Sequence, residues 1–198
     1  LLVMGSLERP SPELAVAALL HDIGKPKTLV VADWQGQLAG RIRFDRHAEV
    51  GAEMAEEVCR RLKCSTSETE TVTALVRDHM KFMNVRDMKP STLKRFFREP
   101  HFEALLALHK ADCLGCHRDL GHWQFCVDKL AEFEAHREPL RPKPLLTGHD
   151  LIAEGYAPGP RFGEILTALE DAQLEGTLTT REEALAFVRG RFPREGGA

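Results

Sequence analysis

Apolar residues recur every three or four positions along most of the chain, which is the spacing that places them on one face of an α-helix. Residues 47–62 show this clearly, because Val50, Met54, Val58 and Leu62 share one face. The same spacing predicts further helices over residues 12–24, 67–79, 91–99, 102–115, 120–136, 161–173 and 180–191. The pattern therefore predicts an all-α fold.

Helix-capping residues precede several of these apolar segments. Ser11-Pro12-Glu13 combines a hydroxyl N-cap, a proline at the first helical position and an acid in the first turn. Ser67 to Glu70 and Thr180 to Glu183 each have the spacing of a capping box, in which the fourth side chain returns to the first backbone N–H. These signals indicate where the corresponding helices begin.

One segment favours strands over helices. Thr28-Leu29-Val30-Val31 and Arg41-Ile42-Arg43-Phe44 flank Gly36 and Gly40. We expect a short β-hairpin over about residues 28–44, and strands nowhere else.

Three prolines between Glu138 and Pro144 mark a break in the helical pattern. They cannot continue a helix, and they favour an extended, semi-rigid connector. We therefore predict a helical domain over residues 1–137, a linker over 138–144 and a small C-terminal helical lobe over 145–198.

The composition is that of a globular protein: 198 residues, 43% hydrophobic and 29% charged, with a formal net charge of −3. Because the overall charge does not favour nucleic acid, an RNA partner would need a local basic stripe. No apolar segment approaches membrane-spanning length and no export signal opens the chain, so we expect a cytoplasmic location and no membrane partner. The sequence leaves the oligomeric state open.

Five cysteines in a chain without an export signal predict free thiols, not a disulfide framework. The segment from Cys113 to His117 matches the C-x-x-C-H haem-attachment pattern, but covalent haem would need export and a second axial ligand. A zinc site would need a second ligand pair at suitable spacing. We interpret these cysteines as buried or half-buried thiols.

The dipeptide His21-Asp22 ends a strongly apolar helix, where groups able to carry charge are costly to bury unless something binds them. By itself it is equally typical of a histidine and a capping aspartate at a helix end. His47, His79 and Asp112 follow in order, each near an end of a separate predicted helix. Because helix ends of a bundle can converge, these five residues predict one divalent-metal site. Imidazole and carboxylate ligands suit manganese, iron, nickel or zinc.

These segments resemble the HD superfamily of metal-dependent phosphohydrolases. More closely, they resemble the HD-containing body and tail of bacterial CCA-adding tRNA nucleotidyltransferases and poly(A) polymerases. The matching segments are 17–25 (AALLHDIGK), 44–51 (FDRHAEVG), 89–96 (KPSTLKRF), 146–152 (LTGHDLI), 159–163 (GPRFG) and 180–184 (TREEA). Many hydrolases share the HD motif, and the tail pattern is what points to the nucleotidyltransferase relatives. The resemblance implies that residues 1–137 are an HD-type helical bundle.

The resemblance also implies a chemistry. His21, Asp22 and Asp112 would ligate the metal, and His47 and His79 would join them where a second ion binds. The implied reaction is hydrolysis of a phosphomonoester or a 2′,3′-cyclic phosphate by water that the metal activates. Lys25 or His79 would orient the phosphate or protonate the leaving oxygen. The implied cofactor is a divalent cation, among manganese, iron, nickel, zinc and magnesium.

Two departures from the resemblance limit what these residues can do. The superfamily's first histidine usually lies on the helix before the His-Asp pair, and residues 1–20 contain none. The chain also opens on Leu1-Leu2-Val3-Met4, so we expect it to begin inside a helix, just after that histidine, as a piece of a longer protein. No Asp-x-Asp pair, which the polymerase head would carry, occurs in the sequence. Nucleotide addition by these residues alone is therefore not expected.

A local basic stripe is present despite the negative net charge. Each of its parts is equally typical of a solvated helix face or a helix cap. The resemblance adds the expectation that the stripe follows a tRNA or other RNA backbone, with strongly salt-dependent binding. The candidate RNA-binding side chains are Lys89, Lys94, Arg95, Arg98 and Arg161.

Two functions follow from these expectations. The first is an HD phosphohydrolase that acts on nucleotides, RNA ends or other phosphate esters. The alternative is a non-catalytic RNA-binding or tRNA-binding body of a nucleotidyltransferase whose head is absent. A free-standing HD enzyme acting on a signalling nucleotide is a third possibility, against which the tail pattern counts.

Overall fold

A computed structural model describes residues 2–32 and 38–194 of the chain, and over those ranges it contains ten α-helices and one antiparallel pair of strands. The strands are β1 (Leu29–Ala32) and β2 (Leu38–Phe44). The helices are α1 (Leu2–Gly5), α2 (Pro12–Leu20), α3 (His47–Arg61), α4 (Thr66–Asp78), α5 (Pro90–Phe97), α6 (Phe102–Gly115), α7 (Gly121–Ala135), α8 (Gly148–Ala153), α9 (Pro160–Leu174) and α10 (Arg181–Arg191). Two 3-10 helices cover Lys25–Lys27 and His79–Asp87. The prediction of an all-α fold with one small hairpin is confirmed.

The predicted hairpin pairs β1 with β2. Leu29 lies opposite Phe44, and Val30 lies opposite Arg43. The register then shifts towards Ala32. Residues 33–37, which include the predicted turn residue Gly36, lie outside the described part of the chain.

The structure corrects one predicted helix start. The capping box of α4 is formed by Ser65 and Glu68, not by Ser67 and Glu70. The backbone N–H of Ser65 donates to the Glu68 carboxylate at 2.6 Å, while the Ser65 hydroxyl accepts from the N–H of Glu68 at 3.3 Å. The pattern Ser-x-x-Glu occurs twice here, at Ser65–Glu68 and at Ser67–Glu70, and Ser67 already lies within the first turn of α4.

Two helical segments lacked a sequence signal. Helix α8 has only six residues, too few to show a periodic pattern, although Thr147 and Asp150 form a capping box at its start. The 3-10 helix His79–Asp87 continues directly from α4, and its tighter winding does not follow the 3.6-residue period.

The contacts divide the chain into two units, which are described separately. Unit 1 comprises residues 1–86 and 100–129, and unit 2 comprises 87–99 and 130–198. The domain limits predicted from the sequence remain a prediction. Among the described residues, no helix is long and apolar enough to cross a membrane.

In unit 1, α4 packs against both α2 and α3, and α1 packs against α6. Small residues on α3 allow this close packing, since Ala52 and Ala55 are fully buried. Larger side chains from the other elements complete the core, among them Val72, Leu75, Val76, Phe82, Leu105 and Leu108.

In unit 2, α9 packs against α5, α8 and α10. The Tyr156 hydroxyl donates to the backbone carbonyl of Phe192 at 2.9 Å, which satisfies the polar end of a buried ring. The buried core of this unit contains Leu146, Leu151, Tyr156, Ile165, Leu169, Ala172, Leu178, Ala184 and Val188.

Candidate metal centre

The five predicted metal ligands come from the ends of four helices of unit 1. His21 caps the C-terminus of α2, and Asp22 is the next residue. His47 is the first residue of α3, and His79 follows the last residue of α4. Asp112 lies in the last turn of α6. These helix ends meet, so that residues as far apart in sequence as His21 and Asp112 face one another.

Each of the three histidines is held by its Nδ1 atom. The Nδ1–H groups donate to the backbone carbonyls of Ala18, Phe44 and Val76, three residues earlier, at 2.9, 2.8 and 2.7 Å for His21, His47 and His79 respectively. A carbonyl can only accept, so each Nδ1 must carry the hydrogen. In the neutral ring the lone pair is then on Nε2, which is the arrangement that metal-binding histidines use.

The Nε2 atoms of His47 and His79 point at each other at 3.2 Å. Two neutral rings in this arrangement direct lone pairs at each other, which is unfavourable unless a cation lies between them. A tetrahedral ion with bonds of about 2.0–2.1 Å would separate two ligand nitrogens by about 3.3 Å. Asp22 Oδ1 completes the group, at 3.5 Å from His47 Nε2 and 3.9 Å from His79 Nε2. Asp22, His47 and His79 therefore fit a divalent cation.

His21 borders this group through Asp22. Its Nε2 atom lies 3.4 Å from Asp22 Oδ2 and 3.4 Å from Asp112 Oδ1. Burial lowers the pKa of His21, but hydrogen bonds to Asp112 and Asp22 outweigh burial and raise that pKa to about 10. The contacts with these two carboxylates therefore favour the protonated form of His21.

Contacts with His21 favour the ionised forms of Asp22 and Asp112. Burial raises the pKa of Asp22, but hydrogen bonds from His21 and Lys25 hold it well below its usual range. The hydrogen bond from His21 likewise lowers the pKa of Asp112, against the effect of burial. Lys25 donates from Nζ to Asp22 Oδ2 at 2.6 Å, so it lies at the edge of the group.

Two buried histidines are kept neutral. Burial lowers the pKa of His79. Burial also lowers the pKa of His109 to about 4. The His109 ring stacks on Phe82 with ring centroids 4.3 Å apart, and it lies one turn before Asp112 on α6. His109 thus supports the helix that carries Asp112.

A close approach of two backbone segments brings α2 and α3 together at the site. A Cβ atom at Gly24 would lie 2.2 Å from the carbonyl oxygen of His47 and 2.7 Å from the N atom of Gly51. Only glycine fits such a contact. Gly24 therefore sets the distance between His21-Asp22 and His47.

We call the five predicted ligands, His21, Asp22, His47, His79 and Asp112, the metal group. A cavity of about 390 Å³ opens over it. Asp22, His47, His79 and Asp112 belong to its lining. The rest of its lining is Lys25, Ile42, Arg43, Phe44, Asp45 and Met80. This volume falls within the range of small-molecule sites.

The predicted basic stripe lies in unit 2, and three of its members form ion pairs there. Lys94 is only 5% exposed, and it donates to Glu138 at 2.6 Å and to the carbonyl of Leu174 at 2.9 Å. Arg95 pairs with Glu170 at 2.6 Å and with Asp171, and Arg98 pairs with Glu170 at 2.7 Å. The structure thus places these three cations in contacts within the unit.

The other two predicted RNA-binding residues are placed differently. Lys89 is exposed and precedes the first residue of α5. Arg161 lies in the first turn of α9 and donates to the carbonyl of Pro193 at 2.7 Å. Both residues belong to unit 2, whereas the metal group belongs to unit 1.

A family model described as tRNA nucleotidyltransferase domain 2 matches residues 46–188. The chain belongs to this tRNA nucleotidyltransferase family. The matched segment includes His47, His79 and Asp112 of the metal group, and it ends within α10.

Relatives in the same family align over almost the whole chain. The A-adding tRNA nucleotidyltransferase of Deinococcus radiodurans is 34% identical over 188 residues, which are 91% of this chain and 42% of that protein. The CC-adding tRNA nucleotidyltransferase of Thermus thermophilus is 38% identical over 186 residues, 89% of this chain and 39% of that protein. The CC-adding tRNA nucleotidyltransferase of Synechocystis sp. is 30% identical over 191 residues, 89% of this chain and 43% of that protein. The chain thus spans less than half the length of these relatives.

Sequence reasoning missed several residues that shape the site in this member of the tRNA nucleotidyltransferase family. Ile42 and Met80 line the cavity, and His109, one turn before Asp112, stacks on Phe82. None of them belongs to a motif that suggests metal chemistry. The strand pattern around Ile42 and the position of Met80 directly after His79 were the available signals.

Proposed function

We propose that this chain is the RNA-binding helical body of a tRNA nucleotidyltransferase. The observation that carries the proposal is the alignment with A-adding and CC-adding enzymes over about nine tenths of the chain. The sequence contains no Asp-x-Asp pair, so the proposal assigns tRNA binding to these residues and does not assign nucleotide addition to them.

Lys89, which is exposed, and Arg161, which is half-buried and donates to a backbone carbonyl, are the proposed phosphate contacts of this body. Lys94, Arg95 and Arg98 are assigned to stabilising unit 2, because each is paired with a carboxylate there. An RNA backbone would have to displace those carboxylates in order to reach them.

Binding of a fluorescently labelled tRNA at increasing salt tests this proposal. We expect affinity to fall steeply between 50 and 200 mM salt, as it does for proteins that neutralise phosphates. Lys89→Ala and Arg161→Ala should each reduce the slope of log affinity against log salt by about 1. Arg61→Ala, at an exposed position in the last turn of α3, is the matched control. Absence of tRNA retention at low salt would rule the proposal out.

We further propose that unit 1 carries a metal-dependent phosphohydrolase site. The convergence of His47 Nε2, His79 Nε2 and Asp22 Oδ1 favours this second function. A divalent cation held there would activate water and neutralise the charge of a phosphate. Asp22, His47 and His79 would hold the cation, with His21 and Asp112 beside them.

Two side chains have roles around that site that follow from their geometry. Lys25 lies beside Asp22, and its ammonium group is placed to hold a phosphate oxygen at the edge of the cavity. His79 uses Nδ1 for the carbonyl of Val76, so Nε2 is its only free nitrogen. We therefore assign His79 to the metal and not to proton donation.

Release of phosphate tests the second function. The protein is stripped with a chelator and assayed with 2′,3′-cyclic AMP and p-nitrophenyl phosphate in the presence of manganese, nickel, zinc or magnesium. We expect turnover with at least one metal and a loss of about 10- to 100-fold or more in His47→Gln. His136→Gln, on an exposed ring that also donates to a backbone carbonyl, should leave the rate unchanged. Equal rates in both variants would show that the phosphatase activity does not come from this site.

A further inference from the structure

The lining of the cavity over the metal group combines charged and apolar side chains. Its polar part contains Asp22, His47, His79 and Asp112, together with Lys25, Arg43 and Asp45. Its apolar part contains Phe44 and the side chains of Ile42 and Met80, which we call the apolar rim. A lining of this kind fits a ligand that has both a charged and an apolar group.

The apolar rim is open to solvent. Ile42 is 59% exposed and Met80 is 41% exposed. Neither side chain is buried in the protein core, and both contribute to the lining of the cavity. Ile42 shares a strand face with Phe44, since alternate residues of a strand point to the same side.

Two cations lie near this rim. Lys25 Nζ is 5.6 Å from the centre of the Phe44 ring. Arg43 is exposed and adjacent to Ile42 in the lining. Both side chains belong to the lining, although Arg43 Nε also lies 3.8 Å from Asp45 Oδ2. Positive charge in the lining suits a phosphate attached to an organic group.

We propose that Ile42 and Met80 form a base-binding wall, which makes the cavity selective for nucleotides over simple sugar phosphates. This inference rests on the proposed phosphohydrolase site, since it places the phosphate at the metal group. The phosphate lies near Lys25 and the metal ligands, and the base packs on the isoleucine and methionine side chains. A flat aromatic base has apolar faces, and burying them against apolar side chains contributes to nucleotide affinity.

Calorimetric binding of adenosine 5′-monophosphate and of ribose 5-phosphate tests the wall, because the two ligands differ only in the base. The titrations are done with manganese and again with chelator, so that binding is measured independently of turnover. We expect the unmodified protein to bind the nucleotide at least about 10-fold more tightly than the sugar phosphate. Ile42→Thr and Met80→Ser should each weaken nucleotide binding by about 3- to 10-fold and leave ribose 5-phosphate binding unchanged.

Neighbouring apolar residues supply matched controls. Val31→Thr changes an exposed residue of β1, 48% exposed, that does not line the cavity. Met83→Ser changes a residue of the same 3-10 helix as Met80, 55% exposed and also outside the cavity lining. Both controls should retain the preference for the nucleotide. All four positions are exposed, and thermal unfolding of each variant verifies that the fold is intact.

The results of these titrations and of the phosphate-release assay distinguish the proposed base-binding wall from the proposed phosphohydrolase activity. Nucleotide preference that depends on Ile42 and Met80, without phosphate release from any ester, would support the wall and rule out the hydrolase. Phosphate release with equal specificity for the nucleotide and ribose 5-phosphate would keep the hydrolase and overturn the wall. Binding of neither ligand, or an equal loss of preference in the Val31 and Met83 variants, would also overturn the wall.

Discussion

The Nε2 atoms of His47 and His79 lie 3.2 Å apart, although 32 residues separate them in sequence. In both rings the Nδ1–H group donates to a backbone carbonyl. The pair is therefore preorganised for a cation before any cation binds, because neither ring needs to rotate to present its lone pair.

Replacing either ring should reduce metal affinity. His47→Gln and His79→Gln remove one nitrogen ligand each, and we expect the dissociation constant for manganese or zinc to rise by about 10- to 100-fold or more. Calorimetric titration of chelator-treated protein measures this directly. In the unmodified protein, metal at 100 times its dissociation constant should add about 2.7 kcal/mol to the free energy of unfolding. A variant that binds metal as tightly as the parent would show that the two rings are not ligands.

Gly24 should be the most sensitive glycine near the site. In Gly24→Ala the new methyl group would meet the His47 carbonyl oxygen at 2.2 Å. Because both partners are backbone, α2 and α3 must separate, and we expect a loss of about 3 kcal/mol or more in the free energy of unfolding. Metal affinity should fall as well, since His21-Asp22 and His47 move apart.

Gly163→Ala is the control for that substitution. Gly163 lies on the exposed surface of α9, and nothing lies within 4 Å of the Cβ position. Alanine is the better helix former there by up to about 1 kcal/mol. Urea denaturation of both variants checks the contrast, and a Gly24→Ala protein of unchanged stability would refute the close approach.

Lys94 should contribute more to stability than to RNA binding. Its ammonium group is buried between Glu138, the Leu174 carbonyl and the ring of Phe133, whose centre is 4.8 Å away. Lys94→Met keeps most of the side-chain volume but leaves the Leu174 carbonyl and Glu138 without their donor. We expect a loss of about 2 kcal/mol in the free energy of unfolding. The loss is smaller than for a fully buried pair because water can solvate the partly exposed Glu138 carboxylate.

Lys89→Met, at an exposed position, should change that free energy by less than about 0.5 kcal/mol. Chemical denaturation and tRNA binding are measured on both variants. A stable Lys94→Met protein with weakened tRNA binding would reverse the assignment and make Lys94 an RNA contact.

The periodic pattern predicted most of the helices because their apolar faces are long. Residues 102–115 were predicted as one helix, and α6 has those bounds. The start of α4 was placed two residues late, because Ser-x-x-Glu occurs in two frames and only the backbone geometry distinguishes them. Helix α8 was missed since six residues are less than two turns.

The convergence of the predicted metal ligands could be anticipated for a different reason. His21-Asp22, His47, His79 and Asp112 all lie near helix ends, and helix ends converge in a bundle. The basic stripe was harder to interpret, because a sequence shows that Lys94 and Arg95 are cations but not that Glu138 and Glu170 face them from 44 and 75 residues away. The apolar rim at Ile42 and Met80 depends on contacts between distant segments as well.

The ion pairs of Glu170 should make the stability of unit 2 depend on pH. Burial raises the pKa of Glu170, but hydrogen bonds from Arg98 and Arg95 outweigh it and lower that pKa below its ordinary value of 4.5. A carboxylate whose pKa is lowered by folding stabilises the protein above its unfolded pKa, and this contribution is lost as the pH falls through the folded pKa. The difference in unfolding free energy between the parent and Glu170→Gln should therefore be largest near neutral pH and should shrink below about pH 4.5. Glu164→Gln, at an exposed position of the same helix, is the control and should show no such trend. Thermal unfolding of unit 2 between pH 3 and pH 7 measures both variants, and a difference that stayed constant over that range would mean that the guanidinium groups do not stabilise the ionised form of Glu170.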